Sequence, residues 1–410
     1  MKSKLLTAPI KPLLIILLTV PYLTGCWDSL ELDKRAVILG ISVDKATDKT
    51  TSKESETSHL RGKFPAPEKE LIRVTAQIAL PGQIPLGPGE GGGSTVRGQT
   101  VWPIEVVGHT IDDALMNLQQ QISSRLFFGH LRVIVVSEAI ARSGLQDLND
   151  YLRRNPEIRR TTWMLISKGD AANFMIATPR LGRLPTLYLL NTIDQATKMG
   201  KFPNDFLGIF WSNASKMGQE GYLPYIELEK KENVGISGIA YFKADKMVGV
   251  SKPLEIAAYM GIKGMNPAGY RSFVKVDGLS GTFNLYATRR QSRIRVSQEN
   301  GRPTIDIQSF IEVNLEEKLN ESVLVSSPDV LRKIEQADEK DAKKFYSDVI
   351  RQTQQYGTDV FGFGEYVRAK QPKYWREHVQ TKEKWQEMYK DLSVHVDVTI
   401  KIRRIGMKAQ

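Results

Sequence analysis

A single cysteine in 410 residues, Cys26, limits what can hold this chain together. No internal disulfide can form and no thiolate cluster can bind zinc, so the fold must be stabilised by buried apolar surface. Where that thiol sits is equally informative. Lys2, Lys4 and Lys11 precede an apolar run from Leu13 to Leu23, and Leu23-Thr24-Gly25 leads into Cys26. This is the layout of a secretory leader ending where a diacylglyceryl group is attached. The run is 11 residues long and contains Pro21, against about 20 residues for a helix that spans a bilayer. Residues 1–25 therefore read as a cleaved leader, with Cys26 as the lipidation site. Two or three acyl chains, each buried CH₂ worth about 0.8 kcal/mol, would hold the mature chain firmly at a membrane surface.

Charge narrows the partners. The chain carries 57 Lys+Arg against 46 Asp+Glu, a net +11. The leader holds three lysines and no acid, so the mature body keeps +8. A modest basic excess on an exported, membrane-held body suits anionic headgroups, or is an ordinary solvated surface. An exported location excludes nucleic acid as the partner.

The body reads as α+β. Val37 to Lys45 is a β-branched strand, and Leu71 to Leu80 resumes strand character with Ile72, Val74, Ala76 and Ile78 alternating against polar residues. These two strands are expected to pair across the polar insert 46–70. Residues 81–99 form a Gly/Pro-rich loop. Its Gly87-Pro88-Gly89-Glu90-Gly91-Gly92 fits G-x-G-x-x-G only by accident, because no helix opens until Ile111. Thr110 is placed to cap a helix through Ile111, Ala114, Leu115, Leu118 and Ile122. Phe127 to Val136 reads as one buried strand, followed by a helix over 138–153, a strand at Trp163–Ile166 and helices at 170–178, 184–199 and 205–214. Strands alternating with helices predict a mixed-sheet domain over 26–222, with a boundary near Gly221-Tyr222-Leu223-Pro224.

The second half, 223–410, opens with two strands joined at Ala244-Asp245-Lys246. Further strands fall between 283 and 315, where Ile305, Ile307, Ile311, Val313 and Leu315 share a face. A long amphipathic helix follows Pro328, and 373–392 is helical around Trp375 and Trp385. The chain closes on Val394, Val396, Val398, Ile400 and Ile402 alternating with His395, Asp397, Thr399, Lys401 and Arg403. One buried and one wet face predict an antiparallel sheet with long helices packed on one side. A further split near 285, into a small middle domain and a C-terminal α+β domain, remains open.

Catalytic signatures are missing from the pattern. His59, His109, His130, His378 and His395 lack the spacing that puts two imidazoles on one face. His130 reads as a core or edge imidazole and His395 as a wet-face residue. No G-x-S-x-G elbow or P-loop occurs. Glu227 with Glu229, and Glu316-Glu317, sit beside lysines as solvated pairs. Basic clusters at Arg153-Arg154, Arg159-Arg160, Arg289-Arg290 with Arg293 and Arg295, and Lys401 to Arg404 are either headgroup or partner contacts or ordinary exposed faces. Gly362 and Gly364 mark a tight turn, with Phe361 and Phe363 packed inward. No metal or cofactor is expected, and no catalytic residue is assigned.

Cys26-Trp27-Asp28 with Glu31-Leu32, Gly40-Ile41-Ser42-Val43-Asp44-Lys45, Phe128-Gly129-His130-Leu131-Arg132, Arg154-Asn155-Pro156-Glu157-Ile158-Arg159, Gly238 to Lys243, Asp359 to Gly364, Trp375 and Ile402 to Gly406 occur in order along the chain. Together they resemble the Ger(x)C family, the C-subunit lipoproteins of bacterial spore germinant receptors. The resemblance implies three α/β domains and a non-enzymatic scaffold or coupling role. It also implies integral-membrane A and B subunits as partners and a place on the outer face of the spore inner membrane, with no small ligand held by this subunit alone. The inserts 46–70 and 81–99 look longer than the family's usual loops. The alternative is a lipid-anchored solute-binding protein that captures a small nutrient itself, which needs two lobes closing on a pocket.

Overall fold

A computed structural model of the chain describes residues 34–51, 70–80, 100–177, 184–230, 233–319, 325 and 327–406. Cys26, the leader, His59, the glycine-rich loop and most of the polar insert lie outside the described residues. Along the chain come β1 (Arg35–Lys45), β2 (Ile72–Ala79), β3 (Val101–Gly108), α1 (Ile111–Gln119), β4 (Arg125–Phe127), β5 (Val133–Ser137), α2 (Glu138–Ser143) and α3 (Gln146–Arg154). Next are β6 (Trp163–Ser167), α4 (Ala172–Ile176), α5 (Pro185–Lys198), α6 (Leu207–Ala214), β7 (Tyr222–Glu229), β8 (Asn233–Lys243), β9 (Lys246–Val250) and α7 (Glu255–Ile262). The C-terminal part holds β10 (Arg271–Lys275), β11 (Thr282–Glu299), β12 (Arg302–Lys318), α8 (Pro328–Tyr356), α9 (Phe363–Lys370), α10 (Lys382–Tyr389) and β13 (Ser393–Arg404).

The first sheet runs β3-β2-β1-β5-β6-β7-β8-β9, with β4 paired to the start of β1. Its centre is parallel (β1, β5, β6, β7) and its flanks are antiparallel. Parallel strands are covered on both faces, and β5 (VIVVS) and β6 (WMLIS) are buried at every position. Successive residues feed opposite cores. Ile134, Val136, Met164 and Ile166 pack with α1, α2, α3 and α6, whereas Val133, Val135, Trp163 and Leu165 face α4, α5 and α7. The expected pairing across the polar insert is present, with Lys45 opposite Ile72. Thr110 caps α1 as expected, accepting a hydrogen bond from the Asp113 N–H at 3.1 Å.

The second sheet, β10-β11-β12-β13, is antiparallel over its first three strands. The β11–β12 hairpin turns on Asn300 and Gly301, both at positive φ. Strand β13 then joins β12 in parallel rather than antiparallel, with Ile305 opposite Val394 and Ile311 opposite Ile400. The 29-residue α8 supplies the crossover that a parallel pair needs. It also covers the open edge of β13. Glu339 accepts the Ile400 N–H and Glu335 accepts the Ile402 N–H, each at 2.9 Å.

The chain runs through 222 without leaving the first sheet, since β7, β8 and β9 complete it, and the change of sheet falls between Val250 and Arg271. Around 285 the backbone is inside β11. One apolar core runs from Val133 and Trp163 of the first sheet to Ile305 and Ile400 of the second, so the two sheets form a single packed body. Among the described residues, the strands and core residues of both sheets lie between Arg35 and Arg404. Among the described residues no helix is long and apolar enough to cross a membrane.

Candidate functional site

The late turn Asp359 to Gly364 is where the two halves of the body are fastened. Tyr356 ends α8, Gly357 takes the left-handed conformation, and the chain dives into the core. Asp359 is buried and its carboxylate accepts four N–H groups: Gly362 at 2.8 Å, Phe363 at 3.1 Å, Gly364 at 2.8 Å and the Trp385 indole at 3.0 Å. Burial pushes this carboxyl up, to about 6, while the backbone and indole donors pull it back. Gly362 sits at φ 76, a conformation only glycine adopts without strain. Gly364 and Gly218 meet backbone to backbone, and a Cβ on either would strike the other.

Around that turn the N-terminal half is bound by polar fasteners. The Gly218 N–H donates to Glu365 at 2.8 Å and the Glu220 N–H to the Asp359 carbonyl at 2.9 Å. The buried Glu220 carboxylate takes Gln386 at 2.6 Å, Lys382 at 3.1 Å and the Ala244 N–H at 3.0 Å. Lys263 donates to the Phe361 carbonyl at 2.7 Å, and burial lowers its ammonium pKa. Phe361 and Phe363 stack at 5.2 Å, and Trp375 lies 5.5 Å from Trp385. The turn and the inward phenylalanines are as the sequence suggests.

Other motif residues are also fasteners. Asp44 accepts the Ala171 and Ala172 N–H groups, at 2.7 and 2.9 Å, at the start of α4, with Arg73 at 3.5 Å. Burial pushes its carboxyl up to about 6 despite these donors and Arg73. Glu157 accepts the Phe128 N–H at 2.8 Å and pins the turn 128–131. That turn interrupts the expected single strand 127–136. Gly129 lies under the Phe127 ring, so the chain folds back there and splits into β4 and β5.

The histidines are scattered. His130 is exposed, its ring 5.9 Å from Phe127, so it is an edge residue and not a core one. His378 packs on Tyr374 at 4.6 Å, and His395, on the wet face, lies 3.2 Å from Asp306. Among the described residues no group of three or more His, Cys, Asp or Glu side chains could hold a metal ion.

The basic clusters divide on inspection. Arg290 does not belong to an exposed patch at all: it is 3% exposed and donates to the carbonyls of Met265 (2.9 Å), Pro267 (3.0 Å) and Ala257 (3.3 Å). Lys401 and Arg403 are neutralised by Glu335 at 2.9 Å and Glu312 at 2.6 Å. Arg132, Arg159 and Arg160 are exposed and make no ion pair among the described residues.

One cavity joins apolar walls to an underused acid. A cleft of about 400 Å³ between α8, α7 and the second sheet is lined by Leu254, Phe273, Ile311, Phe345 and Asp338. Asp338 is 6% exposed, and among the described residues Ser272, at 3.4 Å, is its hydrogen-bond partner. Burial, with Asp341 and Glu339 nearby, pushes its carboxyl up to about 6. A folded-state pKa raised above 3.8 means the neutral acid's contribution is complete below about pH 4 and is lost as pH rises through 6. Asp338→Asn should therefore be more stable than the parent above pH 6, by about 2 kcal/mol. Its urea midpoint should also lose part of its decline between pH 4 and 6. Identical pH profiles for the two proteins would contradict this.

The likeness to known proteins accounts for this arrangement. Residues 28–228 match the family described as spore germination protein N-terminal domain, and residues 237–406 match spore germination B3/GerAC like, C-terminal. The chain is 27% identical to the putative spore germination protein YfkR of Bacillus subtilis (strain 168), over 97% of this chain and 96% of that one. It is 26% identical to spore germination protein KC of the same organism, over 96% and 95%. The crystal structure of the GerBC protein superposes with a TM-score of 0.55, covering 82% of this chain and 94% of that one at 17% identity. Of the motifs that carried the resemblance, Asp44, Glu157 and Asp359 to Gly364 hold turns of this fold, and the chain belongs to the Ger(x)C family of spore germination proteins.

Proposed function

We propose that this chain is the lipid-anchored C subunit of a nutrient germinant receptor. It acts as a non-enzymatic scaffold or coupling component beside integral-membrane A and B subunits on the outer face of the spore inner membrane. The observation that carries the anchoring is the lone Cys26 at the end of the leader. The tether confines the body to two dimensions and raises its effective concentration for membrane partners. A shared core and a polar-fastened turn at 358–364 suit a rigid body that passes displacement on without hinging.

Deleting the gene should abolish germination through the cognate receptor, and undiminished nutrient germination would argue strongly against the role. Cys26→Ala should lose the acyl mass and move from the membrane to the soluble fraction; unchanged retention would contradict the anchor.

The second reading, a solute-binding protein, draws support from the Asp338 cleft. That cleft lies within one body and not between two closing lobes. Calorimetric titration of residues 27–410 with amino acids, sugars and nucleosides separates the readings. No saturable heat is expected for a scaffold, and micromolar saturation would move the assignment to nutrient capture.

A further inference from the structure

The parallel strands β1, β5 and β6 all begin at one end of the first sheet, and that end gathers exposed arginines. Half-buried Arg35 and exposed Arg125 are register partners. The Arg132 carbonyl accepts the Trp163 N–H at 2.9 Å, and the Arg159 carbonyl accepts the Thr162 N–H at 3.1 Å, which places the 159–160 turn beside β5. His130 joins the group through the Phe127 ring, over which Arg35 also lies at 4.5 Å. Of the acids near Arg125, Glu157 binds the Phe128 N–H and reaches Arg125 at 4.0 Å, and Asp150 is held by Arg154 at 2.8 Å; Asp112 and Asp147 line the same cleft, while Arg132, Arg159 and Arg160 lie outside it. On the second sheet Lys401 and Arg403 are paired with carboxylates and Arg290 is buried, while Arg289, Arg293 and Arg295 are exposed but lie far along the chain from Cys26.

The same end is where the chain enters the fold. Lys34 lies eight residues after Cys26, a span of at most roughly 26–29 Å when fully extended. Cys26 therefore lies within that distance of this end of the sheet.

We infer that the end of the first sheet bearing Arg35, Arg125, His130, Arg132, Arg159 and Arg160 docks on anionic lipid headgroups and sets the orientation of the body on the membrane. This rests on the anchoring of Cys26 for its geometry, but the charge complementarity acts without the anchor. Several unpaired guanidiniums on one rim add up to a salt-sensitive attraction to a negatively charged leaflet. Arg125, with its side chain 71% exposed, and the 159–160 turn can reach phosphates without moving the fold.

The test uses the unacylated chain Trp27–Gln410, which keeps all the described residues, floated with vesicles of phosphatidylcholine alone or with 30–40% phosphatidylglycerol (roughly the anionic content that gives a strong surface potential). Binding is expected to the phosphatidylglycerol vesicles at low salt and to fall away in high salt. Arg132→Glu/Arg159→Glu/Arg160→Glu should weaken it by about tenfold or more. Arg293→Glu/Arg295→Glu on the second sheet should change it less than about twofold. Equal binding to both vesicles, or equal loss in both variants with unchanged thermal melts, would overturn the proposal. Mass spectrometry of the native full chain tests Cys26 separately: a bare thiol there with headgroup binding intact removes the anchor and leaves the docking surface standing.

Discussion

Asp359→Ala is expected to lower the unfolding free energy by about 3–5 kcal/mol, the largest single effect of any side chain in the junction. The reason is the number of donors that lose their acceptor together. Three backbone N–H groups and the Trp385 indole converge on this carboxylate in a site closed to water. Alanine leaves all four buried and unpaired, and each such group costs about 1–3 kcal/mol before relaxation. Gly362 gives a second reason: its left-handed turn is held in shape by the same carboxylate. Trp385→Phe removes one donor and leaves three, so a loss of about 1–2 kcal/mol is expected. A double-mutant cycle should then show strong non-additivity, because the indole bond can be lost only once. Urea unfolding followed by tryptophan fluorescence reads all of these. A loss below about 1 kcal/mol for Asp359→Ala would mean the turn is held by Phe361 and Phe363 packing alone.

The sequence showed the periodicities and hid the directions. Alternation in 394–403 fixes which side chains of β13 face the core, and Val396 and Ile400 are buried as expected. It carries no information on whether the strand runs with or against its neighbour. That is decided by where α8 leaves the chain, and 29 helical residues return it to the starting end of β12. Tyr222-Leu223-Pro224 opens β7, which is the next strand of the first sheet. The real change of sheet is marked by the helix Glu255–Ile262, whose all-round apolar character signals a helix buried between layers. Asn300-Gly301 was a readable hairpin signal that fixes the β11–β12 register. The fasteners were less legible still. Asp44, Glu157, Glu220 and Asp359 look like ordinary surface acids in sequence, because their donors lie up to 166 residues away.

Arg290→Met is expected to cost about 3–5 kcal/mol, although the sequence places Arg290 in a run of arginines that suggests a solvated face. A register shift between Ala287 and Arg289 turns Arg290 inward while Arg289 stays out. Its guanidinium then spans the carbonyls of Ala257 at the end of one turn of α7 and of Met265 and Pro267 beyond it, while its own N–H donates to Asn266 at 2.8 Å. Burial lowers its pKa, with Tyr346 and Tyr270 opposing, but the group stays charged at any pH where the protein is folded. Methionine matches the stem but removes the guanidinium donors from the Met265, Pro267 and Ala257 carbonyls, so the loss comes from hydrogen bonds given up at buried acceptors rather than from volume. Lysine keeps the charge and can satisfy one or two of the three, so Arg290→Lys should fall between, at about 1–3 kcal/mol. Arg293→Met, three residues on and exposed, should stay within about 0.5 kcal/mol. Hydrogen exchange separates a local from a global effect: in Arg290→Met the amides of 255–270 should lose protection before those of β5 and β6. Full protection of that segment, or a stability within 1 kcal/mol of the parent, would show that water replaces the guanidinium at those carbonyls.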